Sequence, residues 1–357
     1  MPEQTEPLIV LPTGQTTCHG VDGREVPCAG SGQDAETAPD PNPFTASDRF
    51  RVDGDTATDA LTGLVWSVNA NPLDFPMTWA EALAAVQELN AQSYAGRTDW
   101  RLPNRRELRS LVSHGHARPA LPQGHPFSGV VQNWYWTSTT SAMHTAYAWY
   151  VHLAGARMFY GRKDQYCLVW PVAGTSHSLP RTGQDGCFGP DGEAMDCSGS
   201  GQDGELRLGS PWPEPRFELQ DGGSVLDRLT GLIWRRDASG TGELLTWAEA
   251  LDWAASLPAE GGEGWRLPDI NELESLVDCS RARPALPEGH PFTGVAEAYW
   301  SATTSAFEPD WAYCLYMHKG AVGVCHKPGR EFSAWAVSRP RAHRLGRHCD
   351  ESGRSCT

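Results

Sequence analysis

The feature that most constrains this chain is an internal repeat. A segment from Leu11 to Asp34 returns between Leu179 and Asp203, and Cys18 lies 169 residues before its counterpart Cys187. Both copies read Leu-Pro, then Thr-Gly-Gln, a first Cys, an Asp-Gly turn, a second Cys and a Gly-Ser-Gly-Gln-Asp ending. Self-similarity at a fixed spacing predicts that one structural unit is built twice.

The stretch that follows each Cys-containing segment repeats as well. Six motifs recur in the same order: Leu61–Trp66 with Leu229–Trp234, Thr78–Leu83 with Thr246–Leu251, Trp100–Pro103 with Trp265–Pro268, Arg118–Pro122 with Arg283–Pro287, Gly124–Phe127 with Gly289–Phe292, and Tyr135–Ala142 with Tyr299–Ala306. At 357 residues the chain is also too long for one ordinary core and suits two domains.

The repeat divides the chain into five parts. We expect a first linker (1–44), a first domain (45–174), a second linker (175–213), a second domain (214–340) and a tail (341–357). The tail contains Cys349 and Cys356 and resembles the Cys loop of a third linker.

The placement of the cysteines predicts disulfide bonds. Cys18 and Cys28, like Cys187 and Cys197, bracket Gly/Asp-rich stretches with little apolar content. Closing such a loop of about eleven residues stabilises a fold by roughly 2.5–3 kcal/mol on the chain-entropy model. Zinc is the alternative, but the spacing lacks the paired C-x2-C pattern that tetrahedral sites prefer. We therefore expect disulfides in both linkers and between Cys349 and Cys356, and a secreted or cell-surface location.

Charge and hydropathy exclude two classes of partner. The formal net charge is −15, whereas nucleic-acid binding needs a basic stripe, and none is visible. No apolar run approaches 18 residues, so we expect no membrane span. The first residues, Met-Pro-Glu-Gln, lack the basic and apolar regions of a signal peptide, so we expect that any export signal was removed.

Helix caps are the clearest local signals. Thr78 with Glu81 forms a capping box that begins a first helix, and a second helix begins at Asn104 with Glu107. The second copy repeats both caps at Thr246 with Glu249 and at Asp269 with Glu272.

The remaining elements are strands around a long loop. In the first domain we expect strands at 50–52, 62–66, 134–140, 146–152, 156–160 and 166–172. A loop of about 20 residues, rich in Pro, Gly and His, follows the second helix, and a loop of that length is usually functional. Two helices, a long loop and a strand meander predict an α+β fold class.

These motifs resemble the Lcl C-terminal domain family. The resemblance rests on the linker pattern, the L-T-G-L-x-W strand at Leu61, W-R-L-P-[ND]-x-x-E-L at Trp100 and Trp265, and Y-W-x-x-T-T-S at Tyr135 and Tyr299. It covers nearly the whole chain, twice. The family is named for the bacterial collagen-like adhesin whose C-terminal module it is, and it is similar to the wider C-type-lectin-like and formylglycine-generating-enzyme-like fold.

The resemblance implies two tandem C-type-lectin-like domains, each with two helices and a curled antiparallel sheet. It also implies an extracellular binding module, because in the founding adhesin this module recognises sulfated host polysaccharide. Fold carries over from such a resemblance more safely than activity.

In a lectin-like fold, the long loop and the strand after it form the natural ligand surface. Aromatic faces there stack on sugars, while Arg and His donate to hydroxyl or sulfate groups. The expected ligand-binding residues are Arg118, His125, Trp134 and Tyr135 in the first domain and Arg283, His290 and Tyr299 in the second, with Phe127 and Phe292 beside them. Since most of these motifs recur in both copies, the alternative is that they are core determinants.

Calcium is the one cofactor that the sequence suggests. Carboxylates in Asp/Gly turns offer oxygen ligands close together, and the candidates are Asp53, Asp55 and Asp59 in the first domain and Asp221 and Asp227 in the second. The alternative is that these are ordinary turn residues.

We expect no catalysis. The related oxidase uses a Cys pair with copper, but the short Cys–Cys spacing usual for that site is missing, and Cys314 and Cys325 more simply predict a cross-strand disulfide. The first domain has Ala148 and Tyr160 at the places that we align with them. The pairing of Cys167 and Cys279 stays open. No Ser/His/Asp arrangement and no phosphate-binding Gly loop is present.

The expected function is therefore that of an extracellular adhesin that binds polysaccharide or another surface ligand. The alternative is a structural subunit that self-associates. If the Cys loop of the tail docked where an internal linker docks, identical chains would extend head to tail into a filament or a surface layer.

Overall fold

A computed structural model describes residues 6–37, 49–258 and 263–340. Within them the chain forms two tandem domains of mixed α+β content, as the sequence predicts, and each domain has its own helices and antiparallel strands. None of the helices in these residues is long and apolar enough to cross a bilayer.

The first linker and the first domain contain the first half of the elements. The strands are β1 (Cys18–His19), β2 (Glu25–Val26), β3 (Phe50–Asp53), β4 (Thr56–Asp59), β5 (Val65–Ser67), β6 (Trp134–Thr140), β7 (Tyr147–His152), β8 (Met158–Arg162) and β9 (Val172–Ala173). The helices are α1 (Trp79–Ala91) and α2 (Arg105–Ser110), with short 3-10 turns at Asp34–Glu36 and Tyr94–Gly96.

The second linker and the second domain repeat this order. The strands are β10 (Cys187–Phe188), β11 (Ala194–Met195), β12 (Phe217–Gln220), β13 (Ser224–Asp227), β14 (Ile233–Arg235), β15 (Tyr299–Thr304), β16 (Trp311–Tyr316), β17 (Ala321–His326) and β18 (Val337–Ser338). The helices are α3 (Asp203–Leu206), α4 (Trp247–Ser256) and α5 (Ile270–Ser275).

All four predicted helix caps are confirmed. At α1 the backbone N–H of Glu81 donates to the Thr78 hydroxyl, and the Glu81 carboxylate accepts from the Thr78 N–H at 2.9 Å. The same reciprocal pair begins α2, α4 and α5. Each box satisfies N–H groups that a helix start otherwise leaves without a partner, which is why these residues fix where the helices begin.

Two predicted strands are wrong. Residues 62–64 lie in a turn, where Gly63 at φ 72° donates to the Asp59 carbonyl at 2.7 Å, and β5 begins at Val65. The expected strand at 166–172 is an irregular segment that joins its neighbours through isolated bridges at Cys167 and Leu168 and ends in the two-residue β9. Pro171 explains the shortening, because proline has no N–H to give to a ladder.

Each domain contains a four-stranded antiparallel sheet built from its first three strands and its last strand. Its order is β3-β4-β5-β9 in the first domain and β12-β13-β14-β18 in the second. A buried ion pair ties each sheet to the second helix of its domain: Arg49 bonds both carboxylate oxygens of Asp59 (3.0 and 2.8 Å) and the Ser110 carbonyl. Arg216, Asp227 and Ser275 repeat this contact set.

The meanders of the two domains join into one six-stranded sheet. Its order is β15-β16-β17-β8-β7-β6, and β17 pairs with β8 antiparallel at Val322 and Met158. One face of this sheet covers a hydrophobic core that both domains share, with residues of α2 and α5 in it. On the opposite face, α4 and α1 each cover a smaller core at one end of the sheet.

Tryptophan fills these cores. Ten of the fifteen Trp side chains are among the largest fully buried side chains. Seven of these ten donate their indole N–H to a backbone carbonyl, whereas no such partner among the described residues accepts from the indole N–H groups of Trp66, Trp149 and Trp234. Trp79 donates to Thr137 at 2.7 Å, and its counterpart Trp247 donates to Ser301 at 2.8 Å. These two bonds anchor α1 and α4 on the sheet, because they offset the cost of burying the indole N–H.

Polar contacts between the domains follow an approximate two-fold symmetry. Arg106 in α2 bonds Glu274 in α5 at 3.3 Å, and Arg109 in α2 bonds Asn271 in α5 at 2.7 Å. Arg106 and Asn271 hold the same position in their helices, as do Arg109 and Glu274, so the two contacts are symmetry mates. Arg105 also donates to Glu274, at 3.0 Å.

The linkers cross over between the domains. The second linker packs on the first domain: the Thr139 hydroxyl donates to the Asp203 carboxylate at 2.6 Å. The first linker packs on the second domain, where the Thr303 hydroxyl donates to the Asp34 carboxylate at 2.7 Å. Each linker thus lies against the domain that does not follow it in the chain.

One buried lysine in each domain binds the hairpin of the docked linker. The Lys163 ammonium donates to the carbonyls of Phe188 (2.8 Å) and Gly189 (3.2 Å) and lies 4.1 Å above the Trp79 ring. Lys327 makes the equivalent bonds to His19 and Gly20, at 3.0 and 3.2 Å, above Trp247. Burial lowers the pKa of both lysines to about 7.

The central ion pairs give a first prediction. Replacing Glu274 by Ala leaves the buried Arg105 and Arg106 without their carboxylate, and we expect about 3–5 kcal/mol less free energy of unfolding, measured by urea denaturation. Asp164→Ala is the matched control, because its pair with Arg162 is exposed and its loss should leave the free energy of unfolding almost unchanged. If the two variants lowered the free energy of unfolding equally, the proposed contribution of Glu274 to stability would be wrong.

The linker carboxyls give a second prediction. Burial raises the pKa of Asp203 from its ordinary 3.8 to about 6, so the stabilisation from this group is complete below pH 3.8 and is lost as the pH rises through 6. Burial likewise raises the pKa of Asp34 to about 6. The free energy of unfolding should therefore fall by about 3 kcal/mol per carboxyl between pH 4 and 7.

Asp203→Asn should remove the Asp203 part of this pH dependence and raise stability at pH 7.5 relative to the parent chain. Lys163 and Lys327 affect this comparison little, because their contribution changes mainly above about pH 7. Thermal melts from pH 4 to 8 measure the effect, with exposed Asp164→Asn as control. A parent-like slope in Asp203→Asn would refute the assignment.

Candidate functional site

A row of aromatic rings crosses the outer face of the six-stranded sheet. Trp134 on β6, Tyr150 on β7, Phe159 on β8 and Tyr316 on β16 are each half-buried. The Trp134 and Tyr150 ring centroids lie 4.3 Å apart, Tyr150 pairs directly with Phe159 in the ladder, and the Phe159 and Tyr316 rings lie 6.1 Å apart. We call these four side chains the aromatic row.

Two glycines make room for the row. A Cβ atom on Gly161 would stand 2.5 Å from Cε1 of Tyr150, and one on Gly323 would stand 2.7 Å from Cε2 of Tyr316 and 3.4 Å from Cζ of Phe159. Both rings therefore pack directly against backbone that carries no side chain. Gly323 is also the position at which the rings of the two domains meet, so the row is continuous across the domain boundary.

Cationic side chains flank the row. The Arg157 guanidinium lies 5.9 Å from the Trp134 ring, and the Lys319 ammonium lies 4.5 Å from Tyr316 and 5.4 Å from Phe159. His152 packs against Trp134, and His318 packs against Tyr316. Burial raises the pKa of the Tyr150 and Tyr316 phenols, so both hydroxyls keep their proton at neutral pH and can donate hydrogen bonds.

Of the predicted ligand-binding residues, Trp134 alone belongs to the row. Arg118 and Arg283 lie on exposed loops; the Arg118 guanidinium stacks on Phe307 at 4.2 Å, and the Arg283 N–H donates to the His318 carbonyl. His125 stacks on the buried Phe127, and His290 stacks on the buried Phe292. The long loop therefore brings these residues against cores and domain contacts and not into one cluster.

The prediction for Tyr135 and Tyr299 is wrong, because both side chains are fully buried. The Tyr135 hydroxyl accepts from the Val131 N–H at 2.8 Å, and Tyr299 accepts from Ala296 and donates to the Ala238 carbonyl. Alternation along β6 and β15 points these rings inward. Their recurrence in both copies reflects a core role.

Sequence reasoning missed Tyr150, Phe159 and Tyr316. Alternation along a strand could have found Tyr150 and Tyr316, since each follows a core residue, Trp149 or Leu315, and must face the other way. Phe159 could not be found in this way, because its place in the row depends on the pairing of β8 with β17.

Two of the predicted calcium ligands are wrong. Both carboxylate oxygens of Asp59 and of Asp227 are bound to an arginine inside the protein, which leaves them no role as metal ligands. Asp53 is the last residue of β3, and Asp55 and Asp221 lie in turns; all three are exposed. Among the described residues, no group of three or more His, Cys, Asp or Glu side chains could hold a metal ion.

The disulfides predicted in the linkers are confirmed. Cys18 bonds Cys28 and Cys187 bonds Cys197, and two disulfides fit an exported protein. Cys349 and Cys356 lie outside the described residues. Cys167 is buried in the core under α1, and Cys279 lies in the shared core, each as a free thiol.

The predicted bond between Cys314 and Cys325 is wrong. In the ladder Cys314 faces Gly323 and Cys325 faces Ala312, so the two thiols are offset by two residues and stay free. The aligned positions were also misplaced: Tyr150 and Gly161, not Ala148 and Tyr160, occupy these places in the first domain.

Family comparison agrees with the repeat. Two regions, residues 55–173 and 223–338, match the model of the Lcl C-terminal domain, and together they span more than half of the chain. The chain belongs to the Lcl C-terminal domain family. None of the curated proteins compared with it matches. The aromatic row lies within the two Lcl domains, and both disulfide-bonded linkers lie outside the matched regions.

The glycine at the domain boundary gives a third prediction. Gly323→Ala should displace the Tyr316 and Phe159 rings and lower the free energy of unfolding by about 1–3 kcal/mol, because a methyl group has no space there. Thermal melts and the near-ultraviolet aromatic circular dichroism measure both effects. Gly329→Ala is the control, since its nearest neighbour is the flexible Glu331 side chain. A Gly323→Ala protein with unchanged spectrum and stability would contradict the packing described for the row.

Proposed function

We propose that this protein is an extracellular binding protein that holds a polysaccharide on the aromatic row. The observation that carries the proposal is one continuous line of half-buried rings, from Trp134 to Tyr316, that passes through both Lcl domains. The row spans five adjacent strands, from β6 to β16, so it is roughly 19 Å long at the usual spacing of strands. In this proposal the two domains act as lectin-like modules, since they bind a polysaccharide together.

The chemistry of the row fits sugar rings. Aromatic side chains supply large, rigid apolar faces at little entropic cost, and tyrosine adds a polar hydroxyl at the rim. Tyr150 and Tyr316 have such hydroxyls, and the histidines at both ends offer further hydrogen bonds. A binding site with apolar walls and a few oriented polar groups is the usual form of a ligand site.

The flanking charges favour acidic polysaccharide. Arg157 and Lys319 stand at opposite ends of the row and are 2 of only 29 basic residues in a chain of net charge −15. Charge-assisted bonds from such cations to carboxylate or sulfate groups are about twice as strong as neutral ones. An anionic ligand would therefore bind here despite the acidic surface elsewhere.

The fourth prediction tests the row directly. Trp134→Ala and Tyr316→Ala should each weaken retention on an immobilised sulfated or uronic-acid polysaccharide by about tenfold, because each removes a stacking face. Affinity electrophoresis or surface plasmon resonance measures the change. Phe75→Ala is the matched control, since Phe75 is 74 % exposed and lies off the row.

The same assay distinguishes between different forms of this proposal. A neutral glucan bound as tightly as the acidic polymers would show that the rings act without the cations. If EDTA abolished binding, the hypothesis of a calcium site would be supported, with Asp53, Asp55 and Asp221 as the ligands to test. If no polysaccharide is retained, or if both row variants bind like the parent chain, the proposed function is wrong.

A further inference from the structure

Each domain presents the same binding face to a disulfide-bonded linker. On the second domain the face consists of Thr303, Thr304 and Lys327, which hold Asp34, Gln15 and the β1–β2 hairpin of the first linker. On the first domain, Thr139 and Lys163 hold Asp203 and the β10–β11 hairpin of the second linker. We call these surfaces the linker faces.

Equivalent contacts form on both linker faces, whether the docked linker lies far from that domain in the chain or directly follows it. The acceptors are a buried carboxyl and two hairpin carbonyls, and both linkers offer them at matching positions. The first linker reaches the second domain although it directly precedes the first domain. A linker face therefore selects the linker motif itself.

Apart from the peptide connection at residues 38–48, every described contact of the first linker is noncovalent. It also touches the first domain, where the His114 N–H donates to the Thr13 carbonyl at 2.7 Å. All these partners lie on the body formed by residues 49–340. A second copy of the chain carries an identical first linker and would meet the same donors on that body.

From this duplication we infer that the linker face of the second domain is an interaction surface for a second copy of this chain. Two chains exchange first linkers and form a dimer in which each linker makes its usual contacts on its partner. Exchange of an identical element forms new subunit contacts at little cost, because no new interface has to be built. The intramolecular arrangement wins at low concentration, since the connection gives the chain's own linker a millimolar effective concentration.

Complementation between two full-length variants tests this inference. Lys327→Glu disables the face, because a carboxylate then opposes two carbonyl oxygens, and leaves the first linker intact. Asp34→Ala with Gln15→Ala disables the linker and leaves the face intact. Each variant alone should stay monomeric by light scattering, and reduction of its Cys18–Cys28 disulfide should be about tenfold faster or more than in the parent chain.

Mixing the two variants at about 0.5 mM, within the effective concentration of a tethered linker, should produce a particle of twice the mass. Protection of the Cys18–Cys28 disulfide should return in the Lys327→Glu chain. Near-ultraviolet circular dichroism of each variant shows that its body is folded; if Lys327→Glu is not folded, Lys327→Met replaces it.

The linker face of the first domain and the second linker supply the matched control. Lys163→Glu mixed with Asp203→Ala disables the other face and the other linker. The second linker is joined on both sides to a domain, so it cannot change partners without displacing one, and we expect no dimer. A dimer in the mixture of the Lys327→Glu chain with the Asp34→Ala/Gln15→Ala chain, and none in the control mixture, supports the inference. If the first of these mixtures stays monomeric, or if both mixtures associate equally, the inference is overturned, and neither result bears on polysaccharide binding.

Discussion

The pairing of β8 with β17 is the contact on which the rest of the structure depends. It turns two three-stranded meanders into one sheet, and the sheet then has a single inner face over a core that both domains share. The ion pairs of Glu274 with Arg105 and Arg106 lie within that junction. Without it, each domain would expose a strand edge and an apolar face, and exposed edges invite aggregation.

The copies differ at this junction in compensating ways. Arg105 lies over the Trp149 ring and donates to the Gly320 carbonyl at 2.8 Å. In the symmetry-related place, Ile270 and Tyr313 stand for Arg105 and Trp149, and the Tyr313 hydroxyl donates to the Gly155 carbonyl at 3.0 Å. The two carbonyls are one position apart in their turns, since the strand registers align Gly320 with Ala156, yet each accepts a bond from a side chain of the other domain. Different side chains thus satisfy buried backbone carbonyls at this junction in the two copies.

The sequence predicts well what local chemistry decides. Four capping boxes and two linker disulfides depend on residues that are close in the chain, and the structure confirms them. The tandem repeat is confirmed by the two family matches. Register and facing are decided by how strands pair and pack, and there the predictions were wrong: Tyr135 and Tyr299 turn inward, and Cys314 and Cys325 are offset by two residues in the β16–β17 hairpin. The aromatic row shows the same limit, since Phe159 and Tyr316 meet only through a contact between domains.

The crossed linkers also impose an order on how the molecule is assembled. The first linker is the earliest of these segments to be synthesised, whereas Thr303 and Lys327, which receive it, are among the last. The second linker, by contrast, emerges directly after the domain that binds it. Since Cys18 and Cys28 are only ten positions apart, the first linker can close its disulfide without its partner. The protein is thus able to complete its first domain early and must hold a finished but undocked segment until the second domain has been made.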